Sequence, residues 1–412
     1  MRFRTNTIAR RRCAVLVAPY APGQATTKLG ANRKIELVTG LLRRLGFAVH
    51  LVDSSHPEVQ LSAPVLGERR EVEGQEVVYW RPFCLPSRKV GKLLNAYFSA
   101  SLFARIAALR PDLVWIYNSY AFEGRLGLFL RRRTNCRLVF ELEDLPRARG
   151  RGWNPKPILD QIYFGPLLRQ ADLVTVVNSV LLERFASRAS ARAVVLLPSI
   201  LGRELAEGAS RLRFGGPVHR LGYFGALEPE KGVAVLLNLL PSLPSPWRLT
   251  VTGAGTLEEA LRTSATEFPD RIEFHGRVSH RRVTELMHDC DAIVNPHASI
   301  ADMRDGVFPF KVCEAIGSGG LVISTPLPAI DIDLSRAVLF YDGSVRALAT
   351  ALGEAKHRYD VLGAEIVAAR EAVWERYGEE AVLRSLGAAI EPLLRARDPG
   401  QMKHTPELND VR

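Results

Sequence analysis

Long apolar runs are missing from this chain of 412 residues. The nearest approach to a membrane span, Leu93 to Leu109, is broken by Arg105 and dotted with polar residues, short of the ~20 consecutive apolar residues that a spanning helix needs. Cysteine is scarce. Cys13, Cys84, Cys136, Cys290 and Cys313 are far apart, odd in number and form no Cys-x-x-Cys pair. That argues against a disulfide framework and a zinc cage, and it suits a reducing cytosol. No fixed-period repeat or low-complexity tract is present. Basic stripes interleaved with stacking aromatics, zinc-finger spacings and RNA-recognition signatures are all missing, so no nucleic-acid partner is expected.

What is there is the composition of a folded chain, 47% apolar and 24% charged, long enough for two cores. Its net charge of +11 is uneven. Residues 1–200 hold 31 Lys and Arg against 15 Asp and Glu, and the remainder 24 against 29. A basic half beside an acidic half suits a first half that meets a polyanion or an anionic membrane surface; solvated charged faces explain the same numbers. Arg2, Arg4 and Arg10 to Arg12 before the apolar run Cys13 to Ala18 imitate a secretory leader. That run is only strand length and ends at Pro19, so a strand is expected instead.

Strand-length apolar runs alternate with helical periodicity, the pattern of parallel sheets with crossover helices. In the first half strands are expected at Cys13 to Ala18, Ala48 to Asp53, Leu113 to Tyr117, Leu138 to Glu141, Leu173 to Val177 and Ala193 to Leu197. Ile35, Val38, Leu41, Leu42 and Leu45 recur at three- and four-residue steps and predict a helix. A charged and then Gly-Pro-rich passage, Gly208 to Pro217, marks a boundary. Beyond it strands are expected at Leu221 to Tyr223, Arg248 to Thr252, Ile272 to Phe274, Ala292 to Asn295, Leu321 to Ser324 and Ala337 to Phe340.

The fold class is therefore α/β: two Rossmann-like, doubly wound parallel-sheet domains facing each other across a cleft. Residues 1–200 form the first domain, 201–217 a linker and 218–375 the second domain. Residues 376–397 form a final helix that packs back toward the first domain, and 398–412 a flexible tail.

Three loops carry charge and glycine where such a cleft would open. Gly30 lies in Lys28-Leu29-Gly30-Ala31-Asn32-Arg33, between the first strand and helix. A glycine there lets an anion approach free backbone N–H groups, and it also serves a plain turn. In the second domain, Gly225-Ala226-Leu227-Glu228-Pro229-Glu230-Lys231-Gly232 places Lys231 at a helix entrance, where a cation opposes the helix dipole unless an anionic ligand offsets it. A lysine pointing to water is the other reading. The densest cluster runs from Asp305 to Gly320. Lys311 and Glu314 fall three apart on one helix face, either as a surface ion pair or as a lysine on a diphosphate beside a glutamate gripping vicinal hydroxyls.

Together these motifs resemble the group 1 glycosyltransferases, retaining enzymes of the two-Rossmann GT-B fold that use nucleotide-diphosphate sugars. Leu29-Gly30-Ala31-Asn32-Arg33, Lys231-Gly232, Gly253-Ala254-Gly255, Phe274-His275-Gly276-Arg277-Val278 and the Glu314 segment follow in the family's order. The resemblance implies donor binding by Gly30, Gly225, Lys231, Gly253, Val278, Lys311 and Glu314, with Val278 facing the base and Glu314 on the ribose. His275 is taken as structural. Asp305, Glu143 and Lys311 are the implied catalytic residues.

The departures are specific. Ala226 replaces the family's diphosphate-binding arginine, for which Lys311 is the substitute. Glu143 stands where a histidine is usual, and the acidic partner of Glu314 is offset to Asp305.

The implied activity is metal-independent hexosyl transfer, with retention, from a nucleoside-diphosphate sugar to a hydroxyl of a glycan, lipid-linked or small-molecule acceptor. No cofactor is expected beyond the donor. Polysaccharide biosynthesis in the cytoplasm, peripheral to the inner face of the membrane, is the implied setting. A catalytically silent GT-B protein that binds a nucleotide or glycan as a partner subunit is the alternative.

Overall fold

The computed structural model describes residues 11–20, 29–56, 61–72, 74–85, 88–143, 145, 156–186, 193–197, 200–207, 213–297, 310–327 and 330–396. The expected tail, 398–412, lies outside them. The first sheet comprises β1 (Cys13–Ala18), β2 (Ala48–Asp53), β3 (Val65–Val72), β4 (Gln75–Arg81), β5 (Leu113–Tyr117), β6 (Arg137–Leu142), β7 (Leu173–Val176) and β8 (Ala193–Leu196). Its order is β3-β4-β2-β1-β5-β6-β7-β8. The second comprises β9 (His219–Phe224), β10 (Trp247–Thr252), β11 (Ile272–Phe274), β12 (Ala292–Asn295), β13 (Leu321–Ser324) and β14 (Val338–Phe340), in the order β11-β10-β9-β12-β13-β14.

All pairs are parallel except β3 with β4. Helices cover both faces, so the central strands read as unbroken apolar runs; all six residues of β1 and all five of β5 are buried. The expected strands all form, with ends that differ by a residue or two.

A recurring device fixes where strands begin. Asp112, Asp172 and Asp291 each stand one residue before a strand, β5, β7 and β12. Each carboxylate accepts N–H groups at or ahead of the start of a neighbouring strand. Asp112 Oδ2 takes Cys13 N–H at 2.8 Å and Asp172 Oδ2 takes Leu138 N–H at 2.9 Å; Asp291 takes Phe214 and Arg220 N–H at 2.7 and 2.8 Å. A buried amide left unpaired would cost ~1–3 kcal/mol, so each aspartate holds strand register at modest expense.

Two expectations change. The first helix spans Leu29–Arg44, starting well before Ile35. Its opening turn is polar because Arg33 and Lys34 are drawn to carboxylates on other elements, so no apolar stripe marks it. The antiparallel pair β3–β4 was not expected from the sequence. It lies at the sheet's edge, and Glu68, Arg69, Glu71 and Glu76 are exposed, the charged edge that protects a sheet from further pairing.

The chain crosses between the sheets twice at one place. Leu197 and Ile200 belong to the first domain's core, while Leu201 and Leu205 belong to the second's. Leu201 pairs with Gly378: its N–H donates to Tyr377 O at 2.7 Å, and Glu379 N–H donates to Leu201 O at 3.1 Å. The helix Glu379–Arg395 then lays Val382, Leu386, Ile390, Leu393 and Leu394 into the core of the first domain.

Candidate functional site

Among its parallel strands each sheet reverses order once, between β1 and β5 and between β9 and β12. Loops leaving the carboxyl ends of such strands diverge and open a crevice, where ligands of parallel sheets bind. Beyond β9 the loop closes with the short 3-10 turn Pro229–Lys231 and Gly232 at φ 76°. A Cβ on Gly232 would stand 1.8 Å from the carbonyl oxygen of Pro296, which follows β12. Only glycine allows so close a crossing at that φ, and the crossing sets Lys231 against His297: Lys231 Nζ lies 3.1 Å from His297 Nε2.

Lys311, in the first turn of the helix Phe310–Gly317, places Nζ 4.4 Å from the centre of the Tyr223 ring at the end of β9. The Tyr223 hydroxyl donates to Ala226 O at 2.7 Å and so holds the loop beneath it. Burial first, and the Lys231 ammonium second, pull Lys311 down to about 7. Burial and both lysines push His297 down to about 3. Among the described residues no carboxylate pairs with Lys231 or Lys311. Two lysines and a neutral imidazole at a switch point, with no counter-charge among the described residues, make an anion site.

Glu314 lies one turn beyond Lys311. Its carboxylate makes no ion pair or side-chain hydrogen bond among the described residues, and the surface Lys311–Glu314 pair is not formed. Gly225, Gly253 and Gly276 close the same end of the sheet: Gly225 N–H donates to Thr252 O at 3.2 Å and Gly253 N–H to Gly276 O at 2.9 Å. Val278 is half-buried just beyond, and His275 Nε2 stands 3.7 Å from Glu273.

The first domain meets this cluster through the helix Leu29–Arg44. Lys34 Nζ lies 4.8 Å from the ring of Phe310, the residue before Lys311. Gly30 is one turn earlier on the same face, and the place where its Cβ would stand is open space. Gly30 therefore sits within the helix's first turn rather than in a loop before it.

Glu143 is buried and paired with Lys34, which also binds Glu141 Oε1 at 2.8 Å and donates to Leu197 O at 3.1 Å. Lys34 stays above its ordinary value because the two carboxylates outweigh the effect of burial. Asp305 lies outside the described residues, as do Arg147, Arg149 and Arg151. Arg131 to Arg133 end the helix Ala121–Thr134, and Arg131 is bound to Asp172 at 3.3 Å.

His297, Tyr223 and Lys34 escaped the sequence reading. A lone histidine after a strand carries no spacing signal, and Lys34 looks like one more basic residue on a helix. Among the described residues no group of three His, Cys, Asp or Glu is placed to hold a metal ion, and no helix is long and apolar enough to cross a membrane.

Residues 30–199 match a family model described as a glycosyl transferase 4-like domain, and residues 218–356 match one described as glycosyl transferases group 1. A phosphatidyl-myo-inositol mannosyltransferase of Mycobacterium leprae is 33% identical over 178 residues, 42% of this chain and 43% of that protein. A putative colanic acid biosynthesis glycosyltransferase, WcaL, of Salmonella typhimurium is 26% identical over 176 residues, 40% of this chain and 43% of that protein. The match thus spans less than half the length of these curated relatives. Among solved structures, sucrose-phosphate synthase of Thermosynechococcus elongatus superposes with a TM-score of 0.70 at 16% identity, over 94% of this chain and 100% of that one. Anabaena HepE in complex with UDP gives 0.65 at 15% identity, over 92% and 100%. These likenesses show the fold.

Proposed function

Because the chain belongs to the group 1 glycosyltransferases and has their GT-B fold, we propose that it moves a sugar from a nucleoside-diphosphate sugar to an acceptor hydroxyl. The transfer retains the anomeric configuration and uses no metal ion. The observation that carries the reading is the Lys231–Lys311–His297 cluster at the second switch point, with Glu314 one turn away. The sugar leaves as an oxocarbenium-like species, and negative charge builds on the departing diphosphate. Fixed cations aimed at that charge lower the barrier.

In the proposal Lys231 and Lys311 hold the diphosphate and Lys311 stands in for the arginine replaced by Ala226. Glu314 grips the ribose, Gly30, Gly225 and Gly253 let backbone approach the donor, and Val278 faces the base. A phosphate oxygen of the leaving group takes the acceptor proton, so no carboxylate attacks the sugar. Asp305 and Glu143 are the acids proposed beside the donor sugar. HepE was solved with UDP, with UDP and glucose and with UDP-glucose, which supports testing uridine donors first. Incubation with UDP- and GDP-sugars should yield slow donor hydrolysis that an acceptor accelerates; binding without turnover under every acceptor condition would favour the silent protein. Ala226 and the engagement of Glu143 by Lys34 are what speak for that second reading.

The relatives named for phosphatidyl-myo-inositol and for colanic acid support a lipid-linked or glycan acceptor. The basic first half supports docking at an anionic membrane surface. Sedimentation with anionic vesicles should be extensive at low salt and abolished by added salt; a protein that stays in the supernatant at low salt refutes the docking.

Donor binding should also take up a proton. Free Lys311 titrates at about 7, so at pH 8 it is mostly neutral, and a diphosphate dianion beside it raises its affinity for the proton. Between about 7 and the raised value, affinity for a sugar nucleotide falls as pH rises; below about 6 it is flat, because Lys311 is already charged. Calorimetry in buffers of different ionisation enthalpy should give close to one proton taken up at pH 8 and almost none at pH 6. Equal uptake at both values removes Lys311 from the site.

A further inference from the structure

We propose that His297 is a positioning residue: its neutral imidazole fixes Lys231 for the donor diphosphate without cancelling the charge that the diphosphate needs. This rests on the donor reading above and adds a residue and a role to it. An ammonium has three N–H donors and no acceptor. The 3.1 Å contact between Lys231 Nζ and His297 Nε2 therefore requires the lone pair to be on Nε2 and the ring proton on Nδ1. One ammonium proton is used, and two remain for phosphate oxygens.

A carboxylate would orient Lys231 equally well, but it would neutralise the site. A buried imidazole beside two lysines orients and stays uncharged, because burial first, and then the lysines that it serves, suppress its protonation. His297 is itself held firmly. It is buried, its carbonyl accepts the Thr325 hydroxyl at 3.0 Å, and Thr325 N–H donates to Asn295 O at 3.1 Å. The carbonyl of the preceding Pro296 lies against Gly232. Strand ends β12 and β13 thus fix the backbone that carries the ring, and the ring positions the lysine.

The test measures binding of UDP and of GDP at pH 7.5 to the full chain and to His297→Gln, His297→Glu, His297→Phe, Lys231→Ala and the double variant Lys231→Ala/His297→Phe. Thermal stability without nucleotide is recorded for each. Gln places a carbonyl oxygen where Nε2 stood and should keep binding of the preferred nucleotide within about threefold. Phe fills the same space without an acceptor and should weaken it about tenfold or more. Glu, the size of Gln, should be at least about tenfold weaker than Gln, since it cancels a charge.

In the Lys231→Ala background, His297→Phe should cost nothing further, because the histidine acts through the lysine. Glu binding as well as Gln, Phe binding like the unaltered protein, or an undiminished loss in the double variant each overturns the proposal. If Phe impairs folding, the Gln and Glu pair decides alone. If the unaltered protein binds neither nucleotide, the donor reading falls and this inference with it. If binding occurs and is lost in Lys231→Ala but is indifferent to residue 297, only this inference fails.

Discussion

Replacing Lys34 by alanine should destabilise the first domain by about 3–5 kcal/mol, a fall in midpoint of roughly 10 °C for a domain of this size. Lys34 is 3% exposed, and Glu141 and Glu143 are 2% and 7% exposed. Removing the lysine leaves two carboxylates side by side away from water with no cation between them. Trp115 Nε1 still donates to Glu141 Oε2 at 2.7 Å and Asn118 Oδ1 still accepts Glu143 N–H at 3.1 Å, but neither supplies charge. Buried and without the lysine's charge, the two acids should bind protons more tightly in the folded than in the unfolded chain. The deficit should then grow as pH rises from 5 to 8 and shrink as pH falls.

Thermal denaturation of Lys34→Ala across that range checks both sign and size. The triple change Lys34→Met/Glu141→Gln/Glu143→Gln should recover much of the loss, because it removes the charges together. A Lys34→Ala protein whose midpoint shifts by less than about 2 °C at every pH would show that the triad is solvated and carries little of the fold.

The central strands follow from patterns that the chain displays openly. Central strands are buried on two sides, so Ala14 to Val17, Leu113 to Ile116 and Val139 to Phe140 had to be apolar throughout, and a run of that kind cannot be mistaken for a solvent-facing helix of the same length. The pair β3–β4 is invisible for the opposite reason. Its outer strand packs on one side only, and Glu68, Arg69, Arg70 and Glu71 stand where apolar alternation would have marked it.

In the candidate site, Lys231 stood out in the sequence because a cation at a helix entrance opposes the dipole, and Lys311 and Glu314 because their segment resembles the family's donor motif. His297 did not. Its role arises from the crossing of two loops far apart in sequence, at Gly232 and Pro296, and no local spacing encodes a crossing. Glu143 shows the converse: its place in the chain pointed to the donor sugar, whereas its immediate partner is Lys34, a contact that depends on a helix whose first turn has no apolar stripe.

The largest functional effect should come from Lys231→Ala. Removing a fixed cation from a developing negative charge costs on the order of 10²–10³ in rate, and Lys231 is expected to act more strongly on the leaving diphosphate than on the bound donor. Its loss should therefore lower kcat/KM by about that factor, with most of the fall in kcat. Binding of the nucleoside without phosphates should be unchanged.

Glu314→Gln gives the contrasting pattern. It touches the pentose in the proposal, so it should weaken the nucleoside and the nucleoside diphosphate alike, by about tenfold for a lost charge-assisted hydrogen bond, and leave kcat nearly intact. Steady-state kinetics with the best donor, paired with nucleoside and nucleotide titrations, separates the two. Lys231→Ala with an unaltered kcat would place the lysine away from the leaving group, and Glu314→Gln with unaltered nucleoside binding would move the ribose elsewhere. Because Lys231 lies in the turn after β9 and Glu314 on the helix after β12, both patterns together would require one ligand to span the switch point, its diphosphate toward the turn and its pentose toward the helix.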